Sequence, residues 1–266
     1  MNPTVSIIIP TFNSGPTIED CLKSIVQQTY PHKNVVVIDG QSTDNTLSIL
    51  ENYRKIYPYI EYVSEKDNGI YDAMNKGIDK ATGDYLLFLG SDDSLYSKNV
   101  LEAIFSDAEN EAYDFIYGNV FLKHSKQLYS GPSSFEKLVG DQISICHQAI
   151  FYKRELFYSI GKYNPKYFIH ADYDLNVQCF KSDEVGKKYV DIIITLYNEQ
   201  GISSQQSNAD GFHNDLTLDY ITNYASPFDL IKKIHKQQRE INSIKNSASY
   251  KMAQFFAKIL IRLRRL

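Results

Sequence analysis

The sequence predicts an α/β fold, a mostly parallel sheet flanked by helices and followed by a C-terminal helical extension. Three observations carry this expectation. Short β-branched runs alternate with stretches of helical periodicity through the first ninety residues. A polar cluster follows each of the first four runs. Charge then divides the chain: from Lys232 to Leu266 there are ten Lys and Arg against Glu240 alone, a local +9 in a chain of net −4, which leaves −13 on residues 1–231.

Val5–Pro10 is the first predicted strand, and Pro16–Gln28 a helix with Ile18, Leu22, Ile25 and Val26 on one face. Asn34–Ile38 is the second strand. Asp44 is placed to cap a helix running to about Tyr57. Tyr59–Ser64 is the third strand, Gly69–Ala81 the third helix and Asp84–Leu89 the fourth strand. Strands separated by helices of this length imply βαβ units. Beyond Asp93 the pattern loosens. Tyr113–Leu122 and Gln127–Ser130 read as strands of a hairpin, 133–148 as irregular chain, and Lys153–Ile160 and Asp172–Lys181 as helices. Lys187–Leu196 reads as a strand and Tyr197–Gly211 as a loop. The expected division is a domain over 1–225 and a basic amphipathic helical tail over 226–266.

Composition fits a folded enzyme-sized chain: 43% apolar residues suffice for a sizeable core. The negative net charge argues against nucleic acid as a partner. Cys21, Cys146 and Cys179 show no C-x-x-C spacing, which points to a reducing compartment rather than a disulfide framework or structural zinc. MNPTVSIIIP lacks the basic start of a signal peptide, and no run is long enough to span a bilayer.

In open parallel sheets ligands bind at the carboxyl ends of strands. Here those ends carry Thr11-Phe12-Asn13, Asp39-Gly40-Gln41-Ser42, Glu65-Lys66-Asp67-Asn68 and Ser91-Asp92-Asp93. Two adjacent carboxylates at the end of the apolar run Tyr85–Leu89 are costly without compensation. A hard divalent ion that prefers oxygen ligands and substrate phosphates would compensate them. The alternative is a solvated turn capping a helix that begins near Ser97.

The blocks VSIIIPTFN, VVVIDGQSTDNT, EKDNGIYDAMNKGIDKATGDYLLFLGSDD and HADYDL, in this order over about residues 4–205, resemble the family 2 glycosyltransferases. The resemblance implies the GT-A fold and a metal-dependent, inverting enzyme of bacterial surface polysaccharide synthesis. Such an enzyme moves a sugar from a nucleotide-sugar donor, with UDP favoured, to a hydroxyl of a glycan or lipid-linked oligosaccharide. It also implies Mn²⁺ or Mg²⁺ as cofactor. By the resemblance, Pro10, Thr11 and Asn13 hold the base and ribose, and Asp39 contacts the uracil. Ser42 and Asp44 fall in the family's D-G-S-x-D turn, here one residue longer. Asn68, Gly69, Asn75 and Lys76 line the nucleotide and sugar. Ser91, Asp92 and Asp93 match the D-x-D region that meets the diphosphate, with Asp93 on the metal and Gly90 where a leading Asp is frequent. Asp172 matches the catalytic base, preceded by Ala171 instead of the usual Glu. His213 is the candidate for a further metal or diphosphate ligand that some relatives supply after this loop. His147 and His170 flank the acceptor-side segment, each open to a substrate contact or a structural hydrogen bond.

A nucleotidyltransferase would need a Gly-rich phosphate loop after the first strand, which Thr11–Gly15 is not. The non-enzyme alternative is an inactive relative serving as a sugar-binding or scaffold subunit, a reading to which Gly90 and Ala171 give footing. In the tail, Met252, Phe255, Phe256, Ile259, Leu260, Leu263 and Leu266 form an apolar stripe beside Lys251, Lys258, Arg262 and Arg265. This pattern suits an anionic membrane surface, and the expected location is cytoplasmic, peripheral on the inner face of the cell membrane. The alternative is that the stripe serves as a packing face or a homo-oligomer contact.

Overall fold

The structure, a computed structural model, describes residues 2–201 and 210–224, together with 235, 238–239, 241–247, 250 and 252. Four parallel strands open the chain: β1 (Val5–Thr11), β2 (Lys33–Asp39), β3 (Ile60–Ser64) and β4 (Tyr85–Phe88). Between them run α1 (Ile18–Val26), α2 (Thr46–Ile56) and α3 (Ile70–Lys80). The second half supplies β5 (Ser94–Leu95), α4 (Val100–Phe105), β6 (Phe115–Leu122), β7 (Leu128–Tyr129) and β8 (Ile150–Lys153). It continues with α5 (Leu156–Ser159), α6 (Ala171–Lys181), β9 (Lys187–Tyr197) and α7 (Phe212–Asn223).

The strands form one sheet in the order β3-β2-β1-β4-β8-β6-β9-β5, with β7 paired to β6. β8 runs antiparallel to both β4 and β6, whereas β9 is parallel to β6. The carboxyl ends of β1, β4, β6 and β9 and the start of β8 therefore share one edge.

β1 is buried along its whole length because helices cover both faces, so its residues show no polar alternation. Ile7 and Ile9 pack with Ile18, Leu22 and Ile25 of α1. On the other face α3 comes so close that a Cβ on Gly77 would lie 2.3 Å from Ile8 Cγ2. Phe88 meets the rings of Tyr152, Phe157 and Tyr163 at 5.1–6.0 Å. Fully burying such a side chain contributes roughly 1.5–3 kcal/mol, against about 1 kcal/mol net for a hydrogen bond. Side-chain packing thus outweighs ladder pairing in holding these strands.

The chain from Lys153, expected to be helical to Ile160, instead enters from a strand. Ile150, Phe151 and Tyr152 are buried between β4 and β6, and the helix shrinks to Leu156–Ser159. A continuous apolar run carries no period, so pattern could not separate strand from helix here. The two-residue β5, which pairs with β9, left no sequence signal. The hairpin expected over 113–130 is β6 and β7.

Two compact units divide the chain, Met1–His213 and Asn214–Leu266. Apart from Met252, the apolar stripe to Leu266 lies outside the described residues. No helix among the described residues is long and apolar enough to cross a membrane.

Candidate active site

A cavity of about 1270 Å³ opens at the strand-end edge. Its walls come from the loop after β1, the start of α3, the turn after β4, the chain before β8, the start of α6 and the chain after β9.

The first wall is stitched to the loop after β2. Asn13 adopts a left-handed φ of 49°, a conformation Asn tolerates better than most residues. Its N–H donates to Ser42 Oγ at 2.7 Å, and its Oδ1 accepts from the Thr43 N–H at 2.8 Å. Asp44, one residue before the N-cap Asn45, accepts from the N–H groups of Gly15 at 2.9 Å and Thr46 at 3.0 Å, so it ties the first residue of α2 to the β1 loop. The extra residue of the Asp39–Asp44 turn is accommodated by a left-handed Gln41, φ 64°. Asp39 is fully buried and holds this turn, accepting from the Ser42 N–H at 3.0 Å, the Ser64 hydroxyl at 2.6 Å and the Ser42 hydroxyl.

Asp92 and Asp93 form the centre of the site. Asp93 is 2% exposed. Burial, and second the Asp92 charge, push its carboxyl up to about 7, against the pull of the Asn198 N–H, His147 and the Gln148 side chain. Asn198, just past β9, ties the pair together: its N–H donates to Asp93 Oδ1 at 2.6 Å and its Nδ2 to Asp92 Oδ2 at 2.7 Å. The other oxygen of each carboxylate faces Gly90. A Cβ there would sit 2.5 Å from Asp93 Oδ2 and 2.9 Å from Asp92 Oδ1. Glycine at 90 is thus a steric necessity of this carboxylate arrangement. Two convergent oxygens, one buried and both short of positive charge, fit a hard cation that takes its remaining ligands from phosphate and water. Among the described residues no group of three or more His, Cys, Asp or Glu is arranged to hold an ion without that help.

Asp172 stands in the first turn of α6 on the opposite wall. His147 Nδ1 lies 2.7 Å from its Oδ2 and the Tyr71 hydroxyl 2.6 Å from its Oδ1. Burial alone would raise Asp172. His147, the Tyr71 hydroxyl and the Tyr173 N–H more than offset it and hold the carboxyl below its ordinary value. Behind it, Asp210 accepts from the N–H groups of Ile169 at 2.9 Å and His170 at 3.0 Å, and pairs with His170 Nδ1 at 2.9 Å. His170 stacks on Phe212 at 5.4 Å and meets His213 edge-on at 4.8 Å.

A family model described as glycosyl transferase family 2 matches residues 6–168. The chain is a family 2 glycosyltransferase. It is 40% identical over 201 residues to a PGL/p-HBAD biosynthesis glycosyltransferase of Mycobacterium bovis (strain BCG / Pasteur 1173P2), covering 75% of this chain and 78% of the relative. Among solved structures this glycosyltransferase is similar to S. aureus TarS 1-349 in complex with UDP-GlcNAc, with a TM-score of 0.60 and 19% identity over 82% of this chain and 71% of that one. It spans 44% of a longer TarS chain. It is likewise similar to the mannosyltransferase PcManGT of Pyrobaculum calidifontis in complex with GDP-Man and Mn2+, TM-score 0.60 and 16% identity, over 98% and 86% of the two chains. These neighbours share the GT-A fold found here.

Of the residues singled out in the sequence, Pro10, Thr11, Asn13, Asn68, Gly69 and Ser91 line the glycosyltransferase cavity, as do Asp92, Asp93, Asp172 and His213. Three do not. Asp39 lies beneath the wall with its oxygens engaged, as above. Asn75 clamps the Tyr163 backbone, donating to its carbonyl at 2.9 Å and accepting from its N–H at 3.0 Å. Lys76 turns to Glu65 at 3.3 Å and Asp72 at 3.4 Å. His213 sits among His170, Phe212 and Tyr173, and burial, then the His170 charge, push its imidazole down. Sequence reasoning gave no role to Tyr71, Gln148 or Asn198 and left His147 undecided. Asn198 carried no signal beyond following a strand.

Proposed function

We propose that the chain transfers a sugar from a UDP-sugar to a hydroxyl of a glycan or lipid-linked acceptor with inversion. One observation carries the reading: a crowded carboxylate pair and a separate, ionised carboxylate line a single cavity. Asp92 and Asp93 would hold Mn²⁺ or Mg²⁺, which when bound offsets the charge of the departing diphosphate. Asp172 would accept the proton of the acceptor hydroxyl. The acceptor oxygen forms the new bond to the anomeric carbon while the bond to the diphosphate breaks, so a single displacement inverts that centre. The TarS complex with UDP-GlcNAc and the PcManGT complex with Mn2+ support a nucleotide-sugar donor and a divalent ion.

The test is thermal shift with UDP-, GDP- and dTDP-sugars, each with Mn²⁺ and with EDTA. A ligand that binds only the folded state raises the melting temperature, by about 2.7 kcal/mol of stability at a hundredfold excess over Kd. A rise with UDP-sugars that needs Mn²⁺ is expected. Equal shifts in EDTA would remove the metal from the reading, and a shift with GDP-sugars alone would change the donor.

The basic tail supports a place at the inner face of the cell membrane, beside a lipid-linked acceptor. Each basic residue near an anionic surface is worth about 1 kcal/mol. The full chain is therefore expected to co-sediment with anionic liposomes and to leave them at high salt, while a 1–240 truncation stays in solution. Identical behaviour of the two would make the stripe a packing or oligomer surface instead.

A further inference from the structure

Two side chains reach the Asp172 carboxylate, and they are not equivalent donors. The Tyr71 hydroxyl has one proton, yet it lies 2.6 Å from Asp172 Oδ1 and also 2.6 Å from the Ile169 carbonyl. It serves one acceptor at a time. His147 Nδ1 lies 2.7 Å from Asp172 Oδ2 and has no competing acceptor among the described residues. Both side chains of this pair, the imidazole and the carboxylate, are largely withdrawn from water, with exposures of 13% and 16%. Their hydrogen bond is therefore shielded from solvent competition.

The geometry points to His147 as the positioning residue of the acceptor-side base: its Nδ1–H aims the Asp172 carboxylate and keeps it ionised in a place where burial opposes charge. This inference rests on the reading of Asp172 as the base. His147 comes from the short turn His147–Ala149 that leads into β8, whereas Asp172 rides on α6. The pair thus locks the orientation of α6 to the sheet edge. The titratable groups around Asp172 are Tyr71 of α3, Cys146 and His147 before β8, Tyr152 of β8, Tyr163 of the loop before α6, and Tyr173 of α6 itself. Burial raises the tyrosines and the cysteine, which keeps them neutral. His147 is the member of this set able to bring positive charge to the carboxylate. His170, the other nearby imidazole, is already paired with Asp210 at 2.9 Å.

The same turn links the two halves of the site. Gln148, adjacent to His147, reaches Asp93, and its carbonyl accepts from the Thr195 hydroxyl of β9 at 2.5 Å. One short turn therefore sets both the carboxylate pair and the base.

The test uses the full chain with ¹³C-carboxyl-labelled aspartate. Asp172 is titrated by NMR in wild type, His147→Ala and His147→Asn, with Asp172→Asn to assign the signal. Asn keeps an N–H near the position of Nδ1 but cannot carry charge. The Asp172 titration is expected to move up by about one pH unit or more in His147→Ala, and by less in His147→Asn. The acid limb of UDP-sugar turnover should follow the same order, with kcat changed more than KM. An Asp172 titration unmoved in both variants overturns the inference, and so does full kcat in His147→Ala on an unshifted pH profile. Loss of turnover in His147→Asn at every pH, with the Asp172 titration near wild type, also overturns it and makes His147 the proton acceptor. If His147→Ala does not fold, His147→Asn alone decides. A moved titration in a protein whose Asp172→Asn form still turns over would fail the base assignment rather than the pairing.

Discussion

Asp172→Asn is expected to lower turnover by roughly 10²–10⁴-fold, the usual contribution of a general base, while UDP binding in Mn²⁺ stays close to wild type. The amide keeps shape and volume, so the Tyr71 hydroxyl still has an oxygen to donate to at the start of α6. What it would lose, on the proposed reading of Asp172 as the base, is the carboxylate oxygen that takes the acceptor's proton. Wild-type Asp172 is held below its ordinary value, so it stays ionised through neutral pH and its acid limb lies in the acidic range. Burst and steady-state kinetics with a fixed donor measure this directly. A mutant with near-normal turnover would send the search to Asp174, two residues further along the same helix turn.

The second large effect concerns Asp93 and is read without any acceptor. Its folded value, about 7, lies above the ordinary 3.8. A group raised in this way contributes stability that is complete below the unfolded pKa and is lost as pH rises through the folded one. Metal-free wild type therefore carries a penalty of the order of a few kcal/mol at pH 8 that shrinks as pH falls through 7 and is gone only below about 3.8. Asp93→Asn removes the buried charge and keeps an oxygen for the Asn198 N–H. In EDTA at pH 8 it is expected to melt several degrees above wild type, since 1 kcal/mol moves a domain of this size by about 2–4 °C. The gap should narrow steadily from pH 8 to pH 5. With Mn²⁺ and UDP the order reverses, because only wild type gains the bound ion. A metal-free Asp93→Asn that melts below wild type at pH 8 would sink this account.

The parallel half of the sheet was legible because β1, β2 and β4 carry the apolar runs Ile7–Ile9, Val35–Ile38 and Tyr85–Phe88, and each helix shows one apolar face. Buried on both sides, Val5–Thr11 and Tyr85–Phe88 announce themselves by composition alone. The antiparallel half was harder for the same physical reason reversed. β8 is apolar too, but only three residues precede Lys153, and the chain then turns into a helix. In the site, the clusters after β1, β3 and β4 were visible as polar breaks. Asp39 was visible but misleading about place: a carboxylate that ends a strand can serve the turn beneath a cavity as readily as the cavity itself. His147 and Asn198 could not be assigned roles, since their meaning lies in partners 25 and over 100 residues away.

The contact between Asn198 and the carboxylate pair spans 105 residues of chain. Chain statistics give closing such a loop in isolation an entropic cost of about 4 kcal/mol, which offsets most of what two hydrogen bonds to carboxylates return, about 1.5–3 kcal/mol each. The contact therefore gains its stability once β6, β8 and β9 have already brought the ends together. Among the parts of this molecule the carboxylate centre is assembled late, and a nascent chain not yet extended past Tyr197 carries Asp92 and Asp93 without the amide that restrains them. The order of synthesis thus keeps the binding centre incomplete until the sheet that supports it exists.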